Sequence, residues 1–425
     1  MSKKILFGVH GSTYFSALFG LMRMVKTYGF TPIVVFSFEY PTISRDMFAL
    51  ELADIKYYHN LPEYSQAFDY RIFPLVFYKE FTEGKERIQK YMEIMRSENP
   101  ELVILGGDLV SYDTAHLIKA AHKRKIKALL HPSFMADYTE AAQAIFNDKS
   151  CDGNKFWNRV VSRRLPGWAL QYHGKNLVRL SAGRIVARHL LHIAPPHPWL
   201  LHSGDSDEIL IESGAMYDRC ALEGLSQKKM QITGSIAHDQ MFELMRNKDP
   251  TKKVVVTALP PDMIASRPQC DFKTYEELVR FWISSIAGIS RQRGYLNIVV
   301  CLHPSVDIKS MEWLEKEYEV KISRDPTYIE IAKCSLFIAS VSSVIQWAVA
   351  CGVPVINYDV YRYGYVDYVA APGVRIIEGK DQFLQSLIFP PSKPEWINIF
   401  FGKIDGKAHE RLIAEINKNC MGLEV

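Results

Sequence analysis

Ser342 and Ser343 are the first residues whose types and spacing point to chemistry. They lie between a short apolar run, Leu336–Ala339, and an apolar helical stretch, Val344–Cys351. Gly352 closes that stretch and Pro354–Tyr358 resumes as a strand. In a parallel α/β sheet this order puts both serines at a carboxyl strand end and a helix start. Free backbone N–H groups and the helix dipole favour a phosphate there. Serine also caps helices without any ligand, so the pair alone fits both uses. His303-Pro304 ends a second strand, Asn297–Leu302, in the same half of the chain. An imidazole at one strand end and hydroxyls at another can converge on one crevice. Together they would bind a phosphate and stabilise its charge as it leaves, without a metal. His303 alone reads more simply as a partly buried histidine; its pairing with the serines gives it weight.

A transfer reaction also needs a base. Asp108 ends the strand Glu101–Leu105 through Gly106-Gly107, where a carboxylate can take a proton from an alcohol or merely cap the next loop. His10, after the first strand, His131, after Ile126–Leu130, and Asp137 are further candidates on neighbouring loops. Pro260, in Leu259-Pro260-Pro261-Asp262, follows the first strand of the second half and is a candidate contact for donor or acceptor or a rigid turn. Arg362 follows the strand Pro354–Tyr358, where a guanidinium could meet a carboxylate or phosphate. Asp205-Ser206-Asp207 reads as a solvated loop. No His/Cys/Asp cluster has metal-ligand spacing, and no Walker loop or G-x-G-x-x-G is present.

The elements that must hold these residues alternate strand and helix. Lys4–Val9, a helix to about Tyr28 and Pro32–Phe36 form a βαβ unit of a parallel sheet. Thr42–Phe81 is aromatic-rich and takes no clear assignment, and Glu83–Glu98 reads as a helix. The alternation breaks over a basic helical insertion, residues 138–203, and restarts at Lys252 after the bridging stretch QITGSIAHD. The expected fold is α/β, with two Rossmann-like domains facing a cleft, residues 1–235 and 236–425. The final helix, Ala408–Asn419, is expected to pack back across the first domain.

Within the insertion, Lys155–Ser203 holds many lysines, arginines and histidines, interleaved with aromatic and aliphatic residues, and no Asp or Glu. Such a segment suits an anionic membrane surface or a polyanionic acceptor, although each residue alone fits a solvated helical face. The chain of 425 residues is 48% hydrophobic and 23% charged, as for an ordinary globular protein, and its net charge of +4 does not argue for nucleic acid. Seven scattered cysteines without a C-x-x-C pair suggest reduced thiols in a cytoplasmic protein. The opening MSKKILFGV is better read as a first strand than as a signal peptide, since polar residues interrupt it early.

The His303-Pro304 and Ser342-Ser343 motifs, in the second of two Rossmann-like halves, resemble those of bacterial sialyltransferases, polysialyltransferases and Kdo transferases. These are GT-B glycosyltransferases that use CMP-activated 2-keto sugar acids. The resemblance implies that His303, Ser342 and Ser343 hold the donor phosphate, with no cofactor and no metal. It also implies transfer to a surface polysaccharide, lipopolysaccharide or capsule acceptor; displacement by a base-activated hydroxyl predicts inversion, and the basic segment Lys155–Ser203 would hold the acceptor at the inner face of the cytoplasmic membrane. That family places an acidic base motif in its first domain; no clean copy occurs here, and Asp108 is the substitute. A second stretch, ELVILGGDLVSYDTAHLIKAAHKRKIKALLHPSF, together with QITGSIAHD, is similar to the hydrolysing UDP-N-acetylglucosamine 2-epimerases. Their glutamate-bearing motif is replaced here by HPSFMAD, which argues against epimerase chemistry. A UDP-sugar transferase and a non-catalytic nucleotide-sugar-binding subunit are the remaining alternatives.

Overall fold

Lys4–Val9 and Thr31–Phe36 are apolar on both faces and almost wholly buried, as strands of a sheet covered on both sides must be. The computed structural model describes residues 2–59, 72–110, 113–131, 138–200, 202, 205–267, 269–295, 297–303 and 306–420. The chain divides into two compact units, one of residues 1–212, 216–233 and 410–425, the other of 213–215 and 234–409.

The first unit contains β1 (Lys4–Val9), β2 (Thr31–Phe36), β3 (Lys56–Tyr58), β4 (Leu102–Leu105), β5 (Lys127–Leu130), β6 (Ala169–Tyr172), β7 (Lys175–Val178), β8 (Glu208–Ile211) and β9 (Met230–Ile232). Seven of them form one parallel sheet in the order β3-β2-β1-β4-β5-β8-β9. The second unit contains β10 (Val254–Ala258), β11 (Asn297–Cys301), β12 (Lys321–Ile322), β13 (Leu336–Ala339), β14 (Val355–Tyr358) and β15 (Val374–Ile377). Its parallel sheet runs β12-β11-β10-β13-β14-β15. Both sheets are doubly wound, and both reverse direction beside their first strand, between β1 and β4 and between β10 and β13. Ligands of such sheets bind outside the carboxyl ends of the strands at that reversal.

Each core follows from the pattern of its helices. The helix Phe73–Glu98 turns Ile88, Tyr91, Ile94 and Met95 onto the first sheet. In the second unit Trp282, fully buried on the helix Tyr275–Gln292, stacks on Tyr358 and Phe383 with centroids 5.5 and 5.1 Å away. Its indole N–H donates to Thr257 Oγ1 at 2.8 Å, so the largest apolar side chain there also has its one polar atom satisfied.

Several expectations need correction. The unassigned stretch Thr42–Phe81 holds the helix Ile43–Leu52 and strand β3, and the helix expected from Glu83 begins at Phe73. The insertion is not wholly helical, because β6 and β7 form an antiparallel hairpin within it. Asp205-Ser206-Asp207 is not a solvated loop: Ser206 is fully buried, and Asp207 accepts from Ala128 N–H at 2.7 Å and pairs with His122 at 3.0 Å. The last helix, Ala408–Cys420, does pack on the first unit as expected: Asn419 accepts from Lys127 Nζ and donates to Glu208 Oε2. Among the described residues no helix is long and apolar enough to cross a membrane.

Candidate functional site

In the second unit, strand register puts the candidates at one sheet edge. Ala258 lies opposite Cys301, and Thr257 opposite Ile338, so β10, β11 and β13 end level with one another. Leu302-His303 leaves β11, Leu259-Pro260 leaves β10 and Ser340–Ser343 leaves β13. His303 and Ser340 are thus separated by two strand spacings, about 10 Å.

The turn after β13 is strained. Val341 has φ 44°, a left-handed conformation that is rare for a β-branched residue. Asn357, in β14, holds it there: its Oδ1 accepts the Val341 N–H at 2.8 Å. The N–H groups of Ser342, Ser343 and Val344 then have no acceptor among the described residues. Neither serine hydroxyl caps the helix Ile345–Ala350, which is shorter than the sequence pattern suggested. Ser340 Oγ, buried at the base of the turn, also has no hydrogen-bond partner among the described residues. Three free N–H donors and two partly exposed hydroxyls therefore face outward from one strand end, which is an anion-binding arrangement.

His303 is exposed as a residue, yet partial desolvation of its ring lowers its pKa from the ordinary histidine value. The shift favours its neutral form. Pro260 is buried, and its carbonyl accepts from Tyr275 Oη at 2.7 Å, which makes it part of a fixed turn. Arg362 is exposed at φ 53° and its guanidinium pairs with Asp271 at 2.7 Å. An anion there would compete with that carboxylate. Pro304 lies outside the described residues.

In the first unit, His10, Asp108 and His131 also follow carboxyl strand ends, those of β1, β4 and β5. All three are buried, at 2% exposure each. Asp137 lies outside the described residues. Gly106 and Gly107, before Asp108, are glycines because the ring of Tyr14 lies on them. A Cβ at either would come within 2.7 Å of that ring.

His10 Nδ1 lies 2.5 Å from Ser37 Oγ, which follows β2. Burial lowers the His10 pKa to about 4, against the opposing charge of Asp113. Asp113 anchors a buried network. Its Oδ2 accepts from Arg87 Nη1 at 2.6 Å and Tyr91 Oη at 2.7 Å, and its Oδ1 lies 2.6 Å from His116 Nδ1. Burial alone would raise the Asp113 pKa, but His116 and Arg87 outweigh it and hold the carboxyl well below the usual range. Sequence reasoning missed Ser37, Arg87, Tyr91, Asp113 and His116. It also missed Asn357, whose signal was present: asparagine is disfavoured in buried strands.

No protein family and no curated protein matches the sequence. Solved structures do match the fold. The calicheamicin glycosyltransferase CalG4 superposes with a TM-score of 0.58 at 10% identity, covering 100% of both chains. The glycotransferase of kitacinnamycin gives a TM-score of 0.57 at 12% identity, covering 99% of this chain and all of the other. The UDP-GlcNAc 2-epimerase from Neisseria meningitidis, bound to UDP-GlcNAc, gives 0.54 at 15% identity, covering 98% of this chain and all of the other. The chain has the GT-B fold.

Proposed function

We propose that the chain is a nucleotide-sugar enzyme that transfers the sugar to an acceptor hydroxyl. The observation that carries this reading is the strained turn at Val341, where three N–H groups and two hydroxyls have no partner among the described residues at the sheet's reversal point. Charge grows on the donor phosphate as the glycosidic bond breaks. Donors already aimed at that position stabilise it without reorganising. His303, about two strand spacings away, would add an imidazole N–H to the same phosphate. Asp108 is the proposed base for the acceptor hydroxyl. His10, kept neutral by burial and backed by the negative Asp113, is the second candidate.

The structural likeness to an epimerase bound to UDP-GlcNAc favours a UDP-sugar as donor. The His303-Pro304 and Ser342-Ser343 motifs are what support a CMP-sugar acid instead. A hydrolysing epimerase is the second reading, supported by the same likeness and opposed by the lack of a glutamate in HPSFMAD. Thermal melting with UDP, UMP and CMP at equal concentration separates these readings. A ligand that binds only the folded state adds about 2.7 kcal/mol at ~100 Kd. The expected result is selective stabilisation by UDP that Ser343→Ala weakens. Stabilisation by CMP restores the sugar-acid donor, whereas no response to any nucleotide overturns the proposal. Incubation with UDP-GlcNAc then tells 2-epimerisation from transfer.

A further inference from the structure

The helix Phe156–Arg164 and the first turns of the helix Phe73–Glu98 meet on one side of the first unit. Trp157 stacks on Phe73 with ring centroids 4.7 Å apart and planes 22° from parallel, and Phe156 packs edge-on to Trp157 at 5.0 Å. This contact covers only part of the rings: Phe156 remains 62% exposed and Trp157 46%. Val160 is exposed one turn further along, as are Ile72, Leu75 and Tyr78 at the start of the longer helix. Isolated exposed apolar residues are ordinary, but Phe156, Trp157 and Val160 lie together on one short helix and form a small exposed apolar patch.

Four cations flank the two rings. Lys155, Arg159, Arg163 and Arg164 are all exposed, and none has a carboxylate partner among the described residues. The nearest acidic residues along the chain, Asp148 and Asp152, are occupied by their own turns, receiving the N–H groups of Ser150 and Asn154. By contrast, Arg184 and Arg188, later in the same acid-free segment, point inward. They clamp Glu80 at 3.2 and 2.9 Å and hold its pKa down despite its burial. The segment is thus divided in two. Its later arginines fasten the helix Ala182–Leu191 to the helix Phe73–Glu98, and the helix Phe156–Arg164 keeps its cations without carboxylate partners among the described residues and its two aromatic rings partly exposed.

We propose that this face docks on an anionic lipid bilayer. Trp and Phe would enter the headgroup–acyl boundary, and Lys155, Arg159, Arg163 and Arg164 would lie against the lipid phosphates. An aromatic-and-aliphatic patch flanked by cations, on helices too polar to span, is the combination that binds the interface rather than crossing it. A protein partner is less well matched, because the interface core of such partners is depleted in uncompensated charge. The inference is independent of the nucleotide-sugar reading.

The test is flotation of the full-length protein with vesicles of phosphatidylcholine alone and of phosphatidylcholine with one-third phosphatidylglycerol. Each cation near such a surface contributes about fivefold in partitioning. The triple variant Arg159→Gln, Arg163→Gln, Arg164→Gln should therefore bind the anionic vesicles about 100-fold more weakly, with unchanged melting temperature. Phe156→Ser with Trp157→Ser should also lose binding. Since Trp157 packs on Phe73, that variant is compared only if it melts as the parent does. The charge variant keeps the test open if it does not. Equal binding to both vesicle types, no binding to either, or full binding by the triple variant overturns the proposal. So does self-association abolished by Phe156→Ser, which would make the occupant a second copy. Nucleotide-induced stabilisation of the same variants reports on the other unit, so a failure here is distinguishable from a failure there.

Discussion

Replacing Asp113 with asparagine should reveal how much of the first unit depends on its buried network. Asp113 is 6% exposed and Arg87 1%, and they meet at 2.6 Å, so the guanidinium has no access to water once its counter-charge is gone. Removing one member of a buried ion pair typically costs about 3–5 kcal/mol. The amide would also turn an N–H₂ group toward one of three donors that now converge on Asp113. For a unit of this size the fall in melting temperature should be of order 10 °C. The sign with pH follows from the depressed carboxyl. Its stabilisation is present above the unfolded pKa of about 4 and is lost as pH falls below that, so parent and variant should differ fully at pH 7 and converge in acid. The assay is calorimetry and urea denaturation of Asp113→Asn, Arg87→Met and the double variant. Removing both charges should recover at least about 1–2 kcal/mol of the summed single losses. A single-variant cost below about 1 kcal/mol, or strict additivity of the pair, would refute the reasoning.

Two further outcomes follow from the packing. Gly183→Ala should pry the helix Ala182–Leu191 from the helix Phe73–Glu98, because a Cβ there would lie 2.9 Å from Phe77 N and 3.0 Å from Phe73 O. Backbone atoms cannot swing aside, so the loss should reach about 1–3 kcal/mol by denaturant unfolding, and a neutral result would contradict the close helix approach. Asp205 should behave oppositely to Asp113: burial and the nearby charge of Asp108 raise its pKa to about 7. A raised carboxyl favours the folded state at low pH and opposes it as pH climbs from the unfolded value through 7. Asp205→Asn should therefore be more stable than the parent at pH 8, by up to about 4 kcal/mol, with the gain disappearing near pH 4. A pH-independent difference would rule out that titration.

The strands bearing the candidate site were legible because parallel strands buried on both faces leave largely apolar runs, as in LFIA and, with one polar residue each, VVVTA and VINY. Their carboxyl ends then identify themselves by the polar residue that follows each run: His10, Asp108, His131, His303 and Ser340. Less legible was the start of the helix Phe73–Glu98. Its first turns carry exposed Leu75 and Tyr78 beside buried Val76 and Glu80, so hydrophobicity there does not mark the inward face. The antiparallel hairpin β6–β7 was hidden for a different reason. Its strands are four residues each, too short for a two-residue period to stand out from a basic, helix-compatible background.

The sequence by itself determined the class of fold, most of the strand–helix alternation and the residues that end the strands bearing the candidates, because backbone hydrogen bonding and apolar periodicity act locally. Only the tertiary structure decided which charges are spent inside the protein and which remain for a ligand. Arg87, Arg188 and Arg159 are the same residue type, and nothing local separates them. Arg87 meets Asp113 across 26 residues and Arg188 meets Glu80 across 108, whereas Arg159 meets no carboxylate among the described residues. The same holds for the turn at Val341, whose strained φ depends on Asn357 in the next strand, 16 residues away. Pairing of this kind is set by which elements pack together, and that is a property of the whole fold rather than of any stretch of chain.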